Sequence, residues 1–580
     1  MSFHQLVQNL IDDTLGAGLF RGSLWAFRPE LVVCAAIIAL LLARMVLPRW
    51  KSGPFVITAV GLLGALYLLA TAGAPDRARP IFTGMLVFDS FAVYMRGLVL
   101  LFALLFASFT ETSGIPDEHD ATEFYVLALG AVLGMCLMVS ANHMMIVFLG
   151  IEMASVPSYA LAGILRHRPK SSEAALKFAV FGAGTAGVML YGISLLVGAL
   201  GSAHIPTMAV RLAEMMPGMP HAELGADRTM VLVLGALMLM VGLAFKLSAV
   251  PFHFWAPDVF EGATAEVAAF LSIASKAAAL ALLVRLALGF SYVEQPAAAA
   301  QTQVSLEAAA LPADTDEAVR KGIQWLKEHQ SKDQSWGPIP PLPDRSLSAA
   351  LAPVRKYLCG LIGLIAAITC TFGNLAAYGQ TNIKRLLAYS TIAHAGYMML
   401  PVAAAVALAG GSAAEARSAV ASLAFYLAIY LFMNLGIFAA VVFLRNAIGS
   451  EEIADYAGLI RRSPGLAVCA SIILFSLVGL PPLAGFAAKF TIFAALFDAR
   501  LIALLVIGGL NTLLSLFYYL RVVKVMVLDP EQEDRPAAEI SLASVPGAYC
   551  AALTLPLLVL GLWWNGLFTW AEAAASAFFH

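Results

Sequence analysis

Six ionisable side chains stand inside apolar sequence, and their types suit proton exchange. Glu152 lies in FLGIEMASVPSY, Lys177 in EAALKFAV and Lys246 in GLAFKLSAVPF. Lys276 lies in SIASKAAAL, His394 in YSTIAHAGY and Lys489 in PPLAGFAAKF. A lysine withdrawn from water holds its proton less tightly, and a neighbouring carboxylate reverses that effect. Moving the carboxylate therefore switches the lysine. A Glu152–Lys246 pair with Lys276 and Lys489 in sequence makes a relay of coupled steps, its gaps bridged by hydroxyls and water. Structural roles compete at some positions. Lys177 is close to a helix start, where lysines snorkel to the interface, and Glu173 four residues earlier offers a helix-surface salt bridge. His394 reads equally as a hydrogen-bonded interior histidine. Lys246, Lys276 and Lys489 have apolar flanks or sit at a helix break, which favours a functional role, because charge inside a span is costly.

The elements that must position these residues are membrane helices. Of 580 residues, 61% are hydrophobic and 12% charged, with a mean hydropathy of +0.84. Soluble domains are nearer half apolar and a quarter charged. A bilayer core is crossed by ~20 apolar residues, and such stretches recur about fourteen times between residues 30 and 567. An all-α polytopic membrane protein follows. Basic residues fall in alternate short connections: Arg49 and Lys51; Arg166, Arg168 and Lys170; Lys384 and Arg385; Arg461 and Arg462; Arg521 and Lys524. Such loops stay cytoplasmic, which puts both termini on the periplasmic side. The first residues, with Asp12 and Asp13, lack the basic and apolar regions of a cleaved signal.

Two spans are interrupted. Pro251 and Pro257 cut the seventh, and Gly479, Pro481 and Pro482 cut the twelfth. Proline removes a backbone donor, and broken helices at membrane depth are tolerated where they line protein or a wet cavity, where transporters place ion sites. The breaks lie five spans apart. An odd number of crossings inverts a second copy, so spans 4–8 and 9–13 read as two inverted five-helix repeats. The chain divides into residues 1–121 (spans 1–3), 122–290 (first repeat), 291–355 (a polar insertion), 356–527 (second repeat) and 528–580 (a loop and span 14).

Other chemistry is not indicated. Cys34, Cys136, Cys359, Cys370, Cys469 and Cys550 stand singly in apolar runs without CxxC spacing, and read as small core residues rather than metal or disulfide sites. No basic stripe indicates nucleic acid.

Several runs resemble the antiporter-like subunits of the proton-translocating NADH–quinone oxidoreductase, respiratory complex I. FLGIEMASVPSYALAGILRHRPKSSEAALKF is similar to the family's fifth and sixth helices, FKLSAVPFHFWAPDVFEGA to its broken seventh helix and SIASKAA to its eighth. FGNLAAYGQTNIKRLLAYSTIAHAGY is similar to the ninth-to-tenth helix region and LPPLAGFAAKF to the second broken helix. The resemblance spans roughly 88–290 and 356–530. It implies that Glu152, Lys177, Lys246, Lys276, His394 and Lys489 form the proton relay. Lys489 in a GFxxKF setting, and no long lateral helix after span 14, resemble the subunit N branch rather than subunit L. Two positions depart from the family. GATAEV, with Thr264 and Glu266, stands where a run such as GAPxPV is usual, and Ala488 replaces a glycine. Glu266 either perturbs the Lys276 helix or is an acid at the cytoplasmic interface.

The resemblance further implies a bacterial inner-membrane location, other complex I membrane subunits as partners, and no cofactor in this chain. FMN, iron–sulfur clusters and quinone chemistry then belong to partner subunits. Residues 291–355 carry DEAVRKGIQWLKEHQSKDQSWGP, similar to one repeat of terpenoid-cyclase α-barrels. One repeat builds no barrel, so a periplasmic cap or docking surface for an unidentified partner is expected. Two other functions fit less well: a free-standing or Mrp-type cation/proton antiporter, and a scaffold, which has no need of buried charges.

Overall fold

The computed structural model describes residues 11–16, 22–47, 50–75, 77–117, 120–165, 167–217, 225–293, 347–531 and 539–579. In chain order the principal helices are α1 (Arg28–Val46), α2 (Gly53–Ala72), α3 (Ser90–Ser113), α4 (Ala121–Val139), α5 (Met144–Ala162) and α6 (Pro169–Leu200). A short helix α7 (Ile205–Met215) precedes α8 (Ala226–Leu247), short α9 (Trp255–Gly262) and α10 (Ala265–Ser291). After the insertion come α11 (Ala352–Ala377), α12 (Ile383–Leu408), α13 (Ala413–Ile448), α14 (Pro464–Val478) and α15 (Ala484–Asp498). The last are α16 (Ile502–Val527), α17 (Val545–Leu562) and α18 (Asn565–Ala575).

Among the described residues, 13 helices are long and apolar enough to cross a membrane. The remaining expected crossing, the twelfth, is made of two 15-residue halves, α14 and α15. The expected all-α architecture needs one addition. Arg79–Ile81 and Leu86–Phe88 form an antiparallel hairpin, three residues a strand and too short to signal itself by alternation. The sequence reading also lacks the short α7. Span 14 ends at Leu562 rather than 567, and the chain turns into α18.

Three helices form the centre. The most apolar stretch of α10 is 100% buried, and those of α12 and α13 are each 94% buried, against 28% for α1, α2, α16 and α17. A helix apolar on every face must be covered on every face, and this trio carries Lys276 and His394. Helix α13 has 36 residues, about 54 Å at 1.5 Å per residue. That exceeds a hydrocarbon core of ~30 Å, so its ends, with Glu415 and Arg445, extend beyond it. Close packing beside the centre depends on absent side chains. A Cβ on Gly373 would lie 2.5 Å from the Ala393 nitrogen and one on Gly396 2.5 Å from that of Cys370, so α11 and α12 approach backbone to backbone.

Both breaks have a left-handed residue ending the first half-helix: Ser248 (φ 54°) after α8 and Gly479 (φ 90°) after α14. The non-glycine Ser248 holds this conformation at a cost. Trp255 Nε1 donates to the Phe245 carbonyl (3.1 Å) and Val250 N to Thr369 Oγ1 (3.1 Å), so the break reuses backbone groups the helix gives up. At the second break, Gly485 N donates to Ser476 Oγ (3.1 Å), an approach closed to any residue with a Cβ. All six cysteines are free thiols, four buried and two, Cys34 and Cys359, partly so.

Candidate functional site

Lys246 occupies the last turn of α8, just before the break, and is 2% exposed. Among the described residues its Nζ has no hydrogen-bond partner, and neither do Ser248 Oγ or His253 Nδ1, buried in the same break. Glu152, half-buried on α5, is the carboxylate whose field acts on Lys246. The pair is thus coupled through space without a direct contact.

Lys276, Lys489 and His394 form a second group. Lys276 Nζ donates to the Thr391 carbonyl on α12 (3.0 Å), one turn before His394. Lys489 Nζ donates to the Val478 carbonyl (2.9 Å), the last residue of α14, and lies 4.5 Å from the Tyr397 ring centroid. Both placements suit a cation, since carbonyl oxygens at a helix C-terminus and aromatic faces carry negative potential. His394 feels the charge of both lysines.

The histidine sits in a hydroxyl-rich nest. His394 Nδ1 is hydrogen-bonded to Tyr426 OH (2.6 Å) and Nε2 to Tyr519 OH (3.3 Å); Tyr519 OH is bonded in turn to Ser390 Oγ. Asn434 Nδ2 donates to Ser272 Oγ (2.7 Å) and Tyr430 OH (2.9 Å), and the Tyr430 ring lies 5.2 Å from that of His394. A neutral imidazole has one donor and one acceptor nitrogen, so a hydroxyl on each side lets a proton enter at one and leave at the other. Sequence reading found the histidine but not these partners. They lie 32 and 125 positions away, and tyrosine in an apolar run reads as core.

Lys177 belongs to neither group. It pairs with Glu173 (2.8 Å), as the four-residue spacing anticipates, and with Asp258 on α9 (2.8 Å), its side chain 37% exposed. A network continues from there: Arg385 to Asp258 (3.2 Å) and Glu261 (2.8 Å), Lys170 to Glu261 (3.0 Å), and Lys384 to Glu451 (2.9 Å). It ties α6 and α9 to the start of α12. On the short α9, burial alone would raise the Glu261 pKa, but hydrogen bonds from Arg385 and Lys170 hold it below the ordinary carboxylate range.

Three buried ion pairs complete the charged interior. Glu266 is fully buried and pairs with Arg445 on α13 (3.0 Å), so it is neither a lone interfacial acid nor a free charge beside Lys276. Arg285 on α10 grips Asp89, the N-cap of α3, through two bonds of 2.8 and 2.9 Å. Arg96 Nε lies 3.0 Å from Glu30. The last two pairs went unread in the sequence. Arg96 and Arg285 lie well inside expected spans, so a fuller count of charges within spans finds them.

Comparison with known proteins shows the family and the fold. The family described as NADH:quinone oxidoreductase/Mrp antiporter, TM, matches residues 141–306 and 347–515. NADH-quinone oxidoreductase subunit N of Anaeromyxobacter sp. (strain Fw109-5) is 34% identical over 98% of both chains. Subunit N 2 of Sorangium cellulosum (strain So ce56) is 36% identical over 96% of this chain and 97% of the relative. A chain of respiratory complex I from Thermus thermophilus with bound aureothin superposes with a TM-score of 0.67 at 28% identity, over 93% of this chain and 98% of that one. A chain of the Mrp complex from Dietzia sp. DQ12-45-1b shares the fold (TM-score 0.69) at 17% identity, over 95% and 97%. The chain belongs to the NADH:quinone oxidoreductase/Mrp antiporter transmembrane family, within its NADH-quinone oxidoreductase subunit N group.

Proposed function

We propose that this chain is a membrane-arm subunit of a bacterial NADH–quinone oxidoreductase, moving protons while quinone reduction proceeds in other subunits. The observation that carries the reading is the set of three buried lysines on broken and central helices, Lys246, Lys276 and Lys489, with His394 and its tyrosine partners within the electrostatic reach of the last two. Such groups exchange protons without any bond chemistry, and their coupling lets one charge change the next site's affinity. Glu152 biases Lys246, Lys276 and His394 pass the proton on, and Lys489 receives it. Lys177 holds the Asp258–Arg385 network at the relay's edge.

FMN, iron–sulfur clusters and quinone are handled by partner subunits in this reading. Residues 122–290 and 356–527 act as the two inverted five-helix units, flanked by 1–121 and 528–580. Both termini face the periplasm of the inner membrane. The inserted 291–355, of which 294–346 lie outside the described residues, caps the periplasmic side or docks a partner. An Mrp-type cation/proton antiporter is the second reading, favoured by the shared fold and by the family description that covers both.

The test is a native gel of gently solubilised membranes carrying a tagged chain, stained for NADH dehydrogenase activity. Co-migration with a large active band is expected. A small inactive band after clean extraction would move the assignment to the antiporter.

A further inference from the structure

Helices α8 and α11 both pack on α10 and hardly touch one another. The gap between them is a half-open cavity of about 350 Å³. Its walls are hydrocarbon: Leu232, Ala236 and Leu239 of α8, Leu286 of α10, and Leu358 and Ile362 of α11 are representative. Leu234 and Leu237 of α8 and Leu364 of α11 are exposed, all within helices long enough to span a bilayer. The solvent on that surface is therefore lipid.

Two hydroxyl-bearing residues, Tyr357 and Thr229, interrupt the apolar wall. Tyr357 lines the cavity, and its buried hydroxyl has no hydrogen-bond partner among the described residues. The other hydroxyl there, Thr229, already donates to the Gly225 carbonyl (2.9 Å). A buried donor without a partner is costly, and this one lies at the end where α8 and α11 begin. At that end exposed Arg228 and Lys356 stand near Asp227 and Glu214, while Arg211 donates to the Leu200 carbonyl (2.7 Å) and buried Arg355 to those of Ser291 and Ser348.

We propose that this groove is a binding site for one acyl chain of a phospholipid, with the lipid's ester or phosphate oxygens accepting from Tyr357. The volume suits a hydrocarbon chain and lies in the usual range of ligand cavities. Hydrocarbon also restores the packing that an open gap forfeits. The occupant sits between α8, which carries Lys246, and α10, which carries Lys276. It therefore fills the seam between the two halves of the chain.

The experiment uses the intact complex in membranes containing phosphatidylglycerol with a diazirine near the chain end. Photolysis and peptide mass spectrometry locate the adducts. Adducts are expected on residues 229–243 and 353–362, and Ala236→Trp, which fills the groove, should reduce them at least about tenfold while NADH activity on a native gel shows assembly. Tyr357→Phe should lower phosphatidylglycerol retained through detergent washing several-fold. Equal labelling in Ala236→Trp would overturn the proposal, and so would labelling by a diazirine-tailed quinone but not by the phospholipid. Should Ala236→Trp not assemble, unchanged retention in Tyr357→Phe overturns it alone.

Discussion

The ammonium of Lys489 lies 2.9 Å from the carbonyl of Val478, the residue that ends the first half of the broken helix. The break thus holds a buried cation against the negative end of a helix. A lysine placed there for stability alone would be a poor choice, since well-packed apolar side chains often replace buried charge at no loss. Lys489→Met should therefore leave the complex assembled and thermally as stable, while proton transfer through this chain is lost. Assembly is read on native gels and pumping in proteoliposomes. A variant that pumps normally would remove Lys489 from the relay.

The His394 hydroxyl nest makes a finer prediction. Tyr426→Phe deletes one hydroxyl at 2.6 Å from Nδ1 and keeps the ring. Proton transfer should slow several-fold, with a solvent deuterium isotope effect larger than in the native complex. An unchanged rate and isotope effect would make His394 the structural histidine that its apolar surroundings also allow.

Asp89 and Arg285 join α3 to the wholly buried α10. Removing one partner of a buried pair leaves an uncompensated charge and costs about 3–5 kcal/mol. Asp89→Ala should thus lower the melting temperature of the complex and its yield. Replacing both residues with apolar ones should recover most of the loss. Equal damage from the single and double variants would mean that the pair contributes little.

The Glu261–Arg385 contact gives a pH prediction. A carboxyl held below its unfolded pKa contributes stability that is fully present above the ordinary carboxylate range and is lost as pH falls through the lowered value. Glu261→Gln should melt earlier than the native protein near pH 7, and the difference should close below about pH 4. A gap independent of pH would locate the stabilisation in packing instead.

Much of this was legible in the sequence, for reasons particular residues make plain. Long apolar runs gave the spans, and Pro251, Pro481 and Pro482 marked the breaks. Lys246, Lys276 and Lys489 stood out because a charge amid apolar residues is costly. What escaped depends on long-range pairing. Glu266 finds Arg445 179 positions away and Arg285 finds Asp89 196 away, which no local period encodes. Lys177 was ambiguous because its pair with Glu173 is local while its pair with Asp258 is not. Short α7 was missed because a helix of 11 residues is too short to register as a span.

The relay is tested most directly by proton pumping per NADH oxidised, measured in proteoliposomes holding the assembled complex with Glu152→Ala or Lys246→Ala. Both variants should assemble and pump fewer protons per NADH. An unchanged ratio in both would contradict the relay from Glu152 through Lys246 to Lys489.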